Sequence, residues 1–157
     1  MSDIRGRRPF VAFAFLALAT CARTAAPVEP FPLPAGVHFA QNPNLPPGGE
    51  IAILSGSPGS PGLYATRVRF VPGLKVMPHS HPEDRIYTVL TGTWTIGLGS
   101  TFDSTQLQDF HAGAVYRLPA NTVHFHMARA DGALFQVTGV GPTSTTYVRP
   151  EDDPRRQ

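Results

Sequence analysis

Residues 73–92 read Gly-Leu-Lys-Val-Met-Pro-His-Ser-His-Pro-Glu-Asp-Arg-Ile-Tyr-Thr-Val-Leu-Thr-Gly. His79 and His81 stand two residues apart beside a run of β-branched and aromatic residues, so on an extended backbone both imidazoles leave the same face. Two imidazoles on one face suit a metal ion, and a third ligand must come from elsewhere in the chain. Residues 119–126, Pro-Ala-Asn-Thr-Val-His-Phe-His, offer it in His124.

Working outward, Leu63 to Val71 alternates cleanly, with Tyr64, Thr66, Val68 and Phe70 on one side and Arg67 and Arg69 on the other. That period of two predicts a strand with one face in a core. Further strands are predicted over Ile86 to Leu90 and, after a turn at Thr91-Gly92, over Thr93 to Leu98. Others follow over Ala114 to Leu118 and Val123 to Ala128. A two-residue hairpin at Asp131-Gly132 then leads into Ala133 to Val140. Helical periodicity is not sustained beyond the amino terminus, and no phosphate-binding glycine pattern occurs. With 17 prolines and 15 glycines spread through 157 residues, the chain reads as one all-β domain.

The charge is uneven. Arg5, Arg7, Arg8 and Arg23 stand against Asp3 within residues 1–26. Removing them leaves nine basic side chains (13 less four) and ten acidic ones (11 less one), a net charge of −1. Such a body has no basic surface for nucleic acid. Residues 1–26 combine a positive start, an apolar stretch from Val11 to Ala19 too short to span a bilayer, and a tail of small residues, which predicts a signal peptide and export. Arg7-Arg8-Pro9-Phe10-Val11 resembles a twin-arginine signal. Cys21, the only cysteine, follows Leu18-Ala19-Thr20, so a lipid anchor there is the alternative to cleavage after Ala26. No transmembrane span is expected in the mature chain. Residues 27–62 form a Pro/Gly-rich arm with an edge strand at Glu50 to Leu54, residues 63–148 a barrel, and residues 149–157 a charged mobile tail.

The two histidine stretches resemble the two motifs of the cupin superfamily, small jelly-roll barrels (the double-stranded β-helix of RmlC-like proteins) that usually hold a divalent metal. Gly73, His79, His81 and Gly92 match the first motif, with Arg85 where the family has glutamate. Gly113, Pro119 and His124 match the second, with Asn121 in place of a glycine and Ala128 in place of an asparagine. The likeness extends to small single-domain bacterial cupins carrying His-Pro-Glu-Asp-Arg. It covers residues 63–140 and is specific for fold rather than function, since the superfamily includes dioxygenases, isomerases, decarboxylases, storage proteins and sensors.

The resemblance implies a metal held by His79, His81 and His124. Glu83 is either a fourth ligand or the partner of Arg85. Arg85 is expected to bind a substrate carboxylate, as a bidentate guanidinium does well, or else to turn outward at the rim. His126 shares a face with His124 and is expected as a further ligand or, with Tyr87, as a proton carrier. The expected cofactor is one divalent transition metal. Iron or manganese is favoured by cytoplasmic loading before twin-arginine export, and zinc, nickel and copper remain open. The expected function is an exported metal-dependent enzyme of the oxygenase or lyase type acting on a small anionic molecule. The alternative is a non-catalytic periplasmic binder of a small ligand or metal. Homodimers formed through edge strands are a further expectation.

Overall fold

The computed structural model describes residues 36–157. The signal-peptide reading, with Arg7, Arg8 and Cys21, lies outside the described residues, as does the start of the arm. Nine strands follow in order: β1 (Ala40–Gln41), β2 (Gly49–Ser55), β3 (Gly62–Phe70), β4 (Lys75–Ser80), β5 (Arg85–Leu98), β6 (Gln108–His111), β7 (Val115–Leu118), β8 (His124–Gly141) and β9 (Thr146–Tyr147). Every pairing is antiparallel.

Two long strands organise the sheet. The first half of β5 lies between β7 and the second half of β8, which continues through β3 and β2 to β1. The second half of β5 lies between β6 and the first half of β8, which continues through β4 to β9. β5 and β8 therefore belong to both halves of the barrel and join them. The core fills the space between: Trp94, from the second half of β5, packs on Phe70 of β3 and Phe135 of β8, with ring centroids 5.0 and 4.1 Å away.

Three sequence expectations change here. Thr91-Gly92 is not a turn, and Asp131-Gly132 is not a hairpin; both lie inside continuous strands, where the register between β5 and β8 shifts. Gly92 takes φ 74°, and a Cβ on it would lie 2.2 Å from the carbonyl oxygen of Gly132, itself at φ 69°. The left-handed glycines are real, but they serve a bulge that bends the paired strands from one half of the barrel into the other. Nor is the charged tail, residues 149–157, free. It forms two 3-10 turns, and buried Asp153 accepts hydrogen bonds from the Arg155 backbone and guanidinium, which also reaches the Thr145 carbonyl.

On its inward side the alternation along β3 is as read, with Tyr64, Thr66, Val68 and Phe70 buried; on the other side Arg69 is exposed, but Ala65 is buried and Arg67 half-buried. β2 pairs with β3 along its length and on its other side meets the two residues of β1. Asn121, at φ 60°, occupies the left-handed position where the family motif has glycine, a conformation asparagine tolerates better than most residues.

Candidate metal centre and its cavity

His79 reaches the interior through a bulge. On β4, Val76 pairs with His126 and His79 with His124, so three steps on β4 match two on β8. Pro78 lies in that irregular step, where its missing N–H costs no ladder bond. Without the extra residue Val76 and His79 would face opposite sides; with it both are buried, at 1% and 4% exposure. β8 needs no such device, because His124 and His126 alternate with Phe125 and share a face. Phe125 is buried on the other face beneath Phe102, with ring centroids 5.1 Å apart. His81 follows the end of β4 and is buried too.

All four rings are oriented the same way. The Nδ1 atoms lie 2.7 Å from the Met77 carbonyl oxygen (His79), 2.9 Å from that of Ser144 (His81), 2.8 Å from that of Thr122 (His124) and 3.1 Å from that of Thr95 (His126). A carbonyl only accepts, so each Nδ1 carries the proton and donates it, leaving each Nε2 with a free lone pair. This is the tether that metal-binding histidines use. Ligand atoms of His79, His124 and His126 lie within 4.8 Å of one another. His81 stands beside them, its ring centroid 4.9 Å from that of His79 and 5.2 Å from that of His124.

Burial holds these imidazoles neutral. Desolvation pushes His124 down to about 4, the nearby Arg85 adding to it. Desolvation also holds His79, His81 and His126 well below the usual imidazole range, with neighbouring histidines contributing to each. Neutral imidazole is the ligating form. The Nε2 of His124 is buried and has no hydrogen-bond partner among the described residues. An unpartnered buried nitrogen is costly by itself but suits a site built for a cation, so the residues present fit a metal.

Glu83 and Arg85 form a second group. Glu83 Oε1 accepts from Arg85 Nε and from the Tyr64 hydroxyl, each at 2.7 Å, while Arg85 Nη2 donates to Thr143 Oγ1. The two side chains are only 9% and 12% exposed. Burial alone would raise the Glu83 carboxyl, but the Thr143 hydroxyl, Arg85 and Tyr64 together outweigh it and hold it below its usual range. Of the two roles open to Glu83, the structure shows the partner of Arg85. Arg85 reaches the cavity rather than bulk solvent, but its charge is already matched.

The cavity has a volume of about 390 Å³. His79, His81 and His126 line one part of it, Arg85 and Thr143 another, and aromatic and aliphatic side chains much of the remainder. Tyr87 is buried at the wall, stacked on Tyr116 at 4.9 Å, and desolvation raises its hydroxyl above the usual phenol range. Trp94 is core and cavity wall at once; its Nε1 donates to the Tyr116 hydroxyl at 2.7 Å. Tyr64, Thr143 and Tyr147 were missed as site residues. Tyr64 could have been noticed as a tyrosine at an inward position, whose hydroxyl needs a partner when buried. The other two come from the segment after Pro142, which carries no motif.

No family model matches the sequence, and no curated protein matches it. Solved structures do. An RmlC-like cupin from Shewanella frigidimarina aligns with a TM-score of 0.56 and 16% identity, over 72% of this chain and 91% of that one. The polyketide cyclase RemF from Streptomyces resistomycificus aligns with a TM-score of 0.66 and 17% identity, over 82% and 92%. An oxalate decarboxylase variant from Bacillus subtilis gives 0.54 and 21%, over 72% of this chain but 30% of that one. Together with the strand order, these likenesses show that the chain has the cupin superfamily fold, an all-β jelly-roll barrel.

Proposed function

We propose that the protein is an exported metal-dependent cupin enzyme of the oxygenase or lyase type acting on a small molecule. The observation that carries the metal is the unpartnered, buried Nε2 of His124 beside His79 and His126, each ring fixed by a carbonyl on Nδ1. These three would hold the ion, with His81 available as a fourth. A divalent transition metal, with iron or manganese first, would supply Lewis acidity or oxygen activation. In support, the B. subtilis oxalate decarboxylase is described with Mn(II) centres. The chain's own residues would bind the ligand on the apolar walls, orient it with the Arg85 side chain, and hold protons on the Tyr87 and Tyr64 hydroxyls. Of the two roles expected of His126, further ligand or proton carrier, its place beside His79 and His124 supports the ligand. Export rests on the sequence pattern of residues 1–26.

A binder without turnover has one observation in its favour: among the described residues no carboxylate lines the cavity, so none is placed there to serve as a base. Elemental analysis of the protein purified after export, beside a His79→Ala/His124→Ala variant, tests the metal. About one ion per chain, absent from the variant, is the expected result; no metal in either protein refutes the reading. Oxygen uptake or product formation in a substrate screen of the loaded protein then separates enzyme from binder.

A further inference from the structure

We infer that the cavity takes an uncharged two-ring aromatic molecule bearing a hydroxyl or keto oxygen, rather than a small organic acid. The inference names the ligand of the proposed metal site and rests on that reading only for where the oxygen points.

Size comes first. At roughly 30 Å³ for each water displaced, a volume of about 390 Å³ holds about a dozen waters, or a ligand of comparable atom count. A two- or three-carbon acid leaves most of that space to water against apolar walls. A fused pair of rings displaces more of that water and covers more of the apolar wall.

The walls set the shape. Phe70, Trp94 and Phe135 form one aromatic surface, Phe70 edge-on to both of the others. Tyr87 and Tyr147 contribute two more rings, and Tyr147 also approaches His79, with centroids 5.4 Å apart. Rings packed edge-to-face or offset gain on the order of 0.5–1.5 kcal/mol per pair beyond area burial, a gain unavailable to a small acid.

At the Arg85 end, charge does not favour the acid. Among the described residues, Arg85 is the only one lining the cavity that carries a formal charge, apart from the histidines. It is paired with Glu83 at 2.7 Å, and both are largely buried. An incoming carboxylate would lose its hydration and compete with Glu83 for the same guanidinium. A neutral oxygen donor avoids both costs: its apolar rings meet the aromatic wall while the oxygen reaches the histidine end.

The test titrates the full protein, purified as exported, with 2-naphthol and with oxalate by calorimetry, while the metal content of the same samples is measured. Trp94 is the only tryptophan and lines the cavity, so quenching of its emission reports where the ligand sits. The expected result is 2-naphthol binding at least tenfold tighter than oxalate, with Trp94 quenched. Val68→Phe, which fills the wall, should weaken 2-naphthol at least tenfold without changing metal content; Val68→Leu, a milder filling, covers the case in which the larger side chain disturbs folding and should weaken it about threefold. Tighter binding of oxalate, or 2-naphthol affinity indifferent to both substitutions, overturns the inference. The two readings fail separately: metal present with oxalate preferred removes only the ligand class, whereas 2-naphthol binding sensitive to Val68 in a protein without metal removes only the metal.

Discussion

His126 joins the histidines that the motif spacing picks out, within 4.8 Å of His79 and His124, while His81 stands beside them with its ring 4.9 and 5.2 Å from the same two. By spacing, His81 belongs with His79; by distance, His126 joins His79 and His124. Sequence spacing counts residues along one strand, whereas the bulge between Val76 and His79 rotates His79 toward β8. Nothing in the sequence announces that bulge except Pro78. His126→Ala should therefore abolish stoichiometric metal, while His81→Ala retains at least half an ion per chain; elemental analysis decides, and the opposite order would return His81 to the ligand set. A second residue-scale test concerns Glu83. Glu83→Ala leaves the largely buried Arg85 cation without its partner, and breaking such a pair costs about 3–5 kcal/mol. Urea denaturation should show that loss, and removing Arg85 as well, as Glu83→Ala/Arg85→Leu, should recover most of it. That Arg85 replaces the usual glutamate was legible in the sequence. That Glu83, two residues earlier, neutralises it depended on how the chain turns after Pro82, and local pattern does not fix that turn.

At the scale of elements, the alternation along β3 and the inward pair His124 and His126 on β8 were readable because a period of two needs only local sequence. The lengths of β5 and β8 were not. Gly92 and Asp131-Gly132 signal left-handed backbone, and such a backbone serves a hairpin and a strand bulge equally well; only the pairing of the two strands along both halves distinguishes them. Gly92→Ala gives a residue at φ 74° a Cβ 2.2 Å from the Gly132 carbonyl oxygen. The left-handed conformation alone costs about 1–2 kcal/mol, and the contact adds to it because backbone, not a flexible side-chain end, must move. A loss of more than about 2 kcal/mol is expected by urea denaturation. Gly59→Ala, where an added Cβ meets nothing within 4 Å, should stay within about 0.5 kcal/mol. Equal effects at the two positions would mean that the bend does not depend on Gly92.

At the scale of the whole molecule, four buried histidines make the metal-free fold sensitive to mild acid. In the folded chain His79, His81, His124 and His126 all sit below the ordinary imidazole value of 6.5, His124 at about 4, with desolvation the largest cause in each. Above 6.5 these groups are neutral in both folded and unfolded chains and do not affect the balance. As pH falls below 6.5 the unfolded chain takes up protons that the folded chain refuses, so stability drops until the folded pKa values are reached. Each excess proton contributes a slope of about 1.4 kcal/mol per pH unit. The carboxylates held low by their partners, Glu83, Asp84, Asp103 and Asp153, are shifted in the same direction but from a lower starting value. Their stabilisation is present above the ordinary carboxylate range and disappears only at lower pH, so the interval from 6.5 to 5 belongs to the histidines. The chelator-treated protein should show a urea midpoint that is level from pH 8 to 7 and falls steeply between 6.5 and 5. A His81→Gln/His126→Gln variant, with two fewer groups to protonate, should fall less steeply. A midpoint unchanged down to pH 5 would mean that water or another partner already satisfies these imidazoles, and the interior would then not be the neutral, lone-pair-rich pocket that suits a metal.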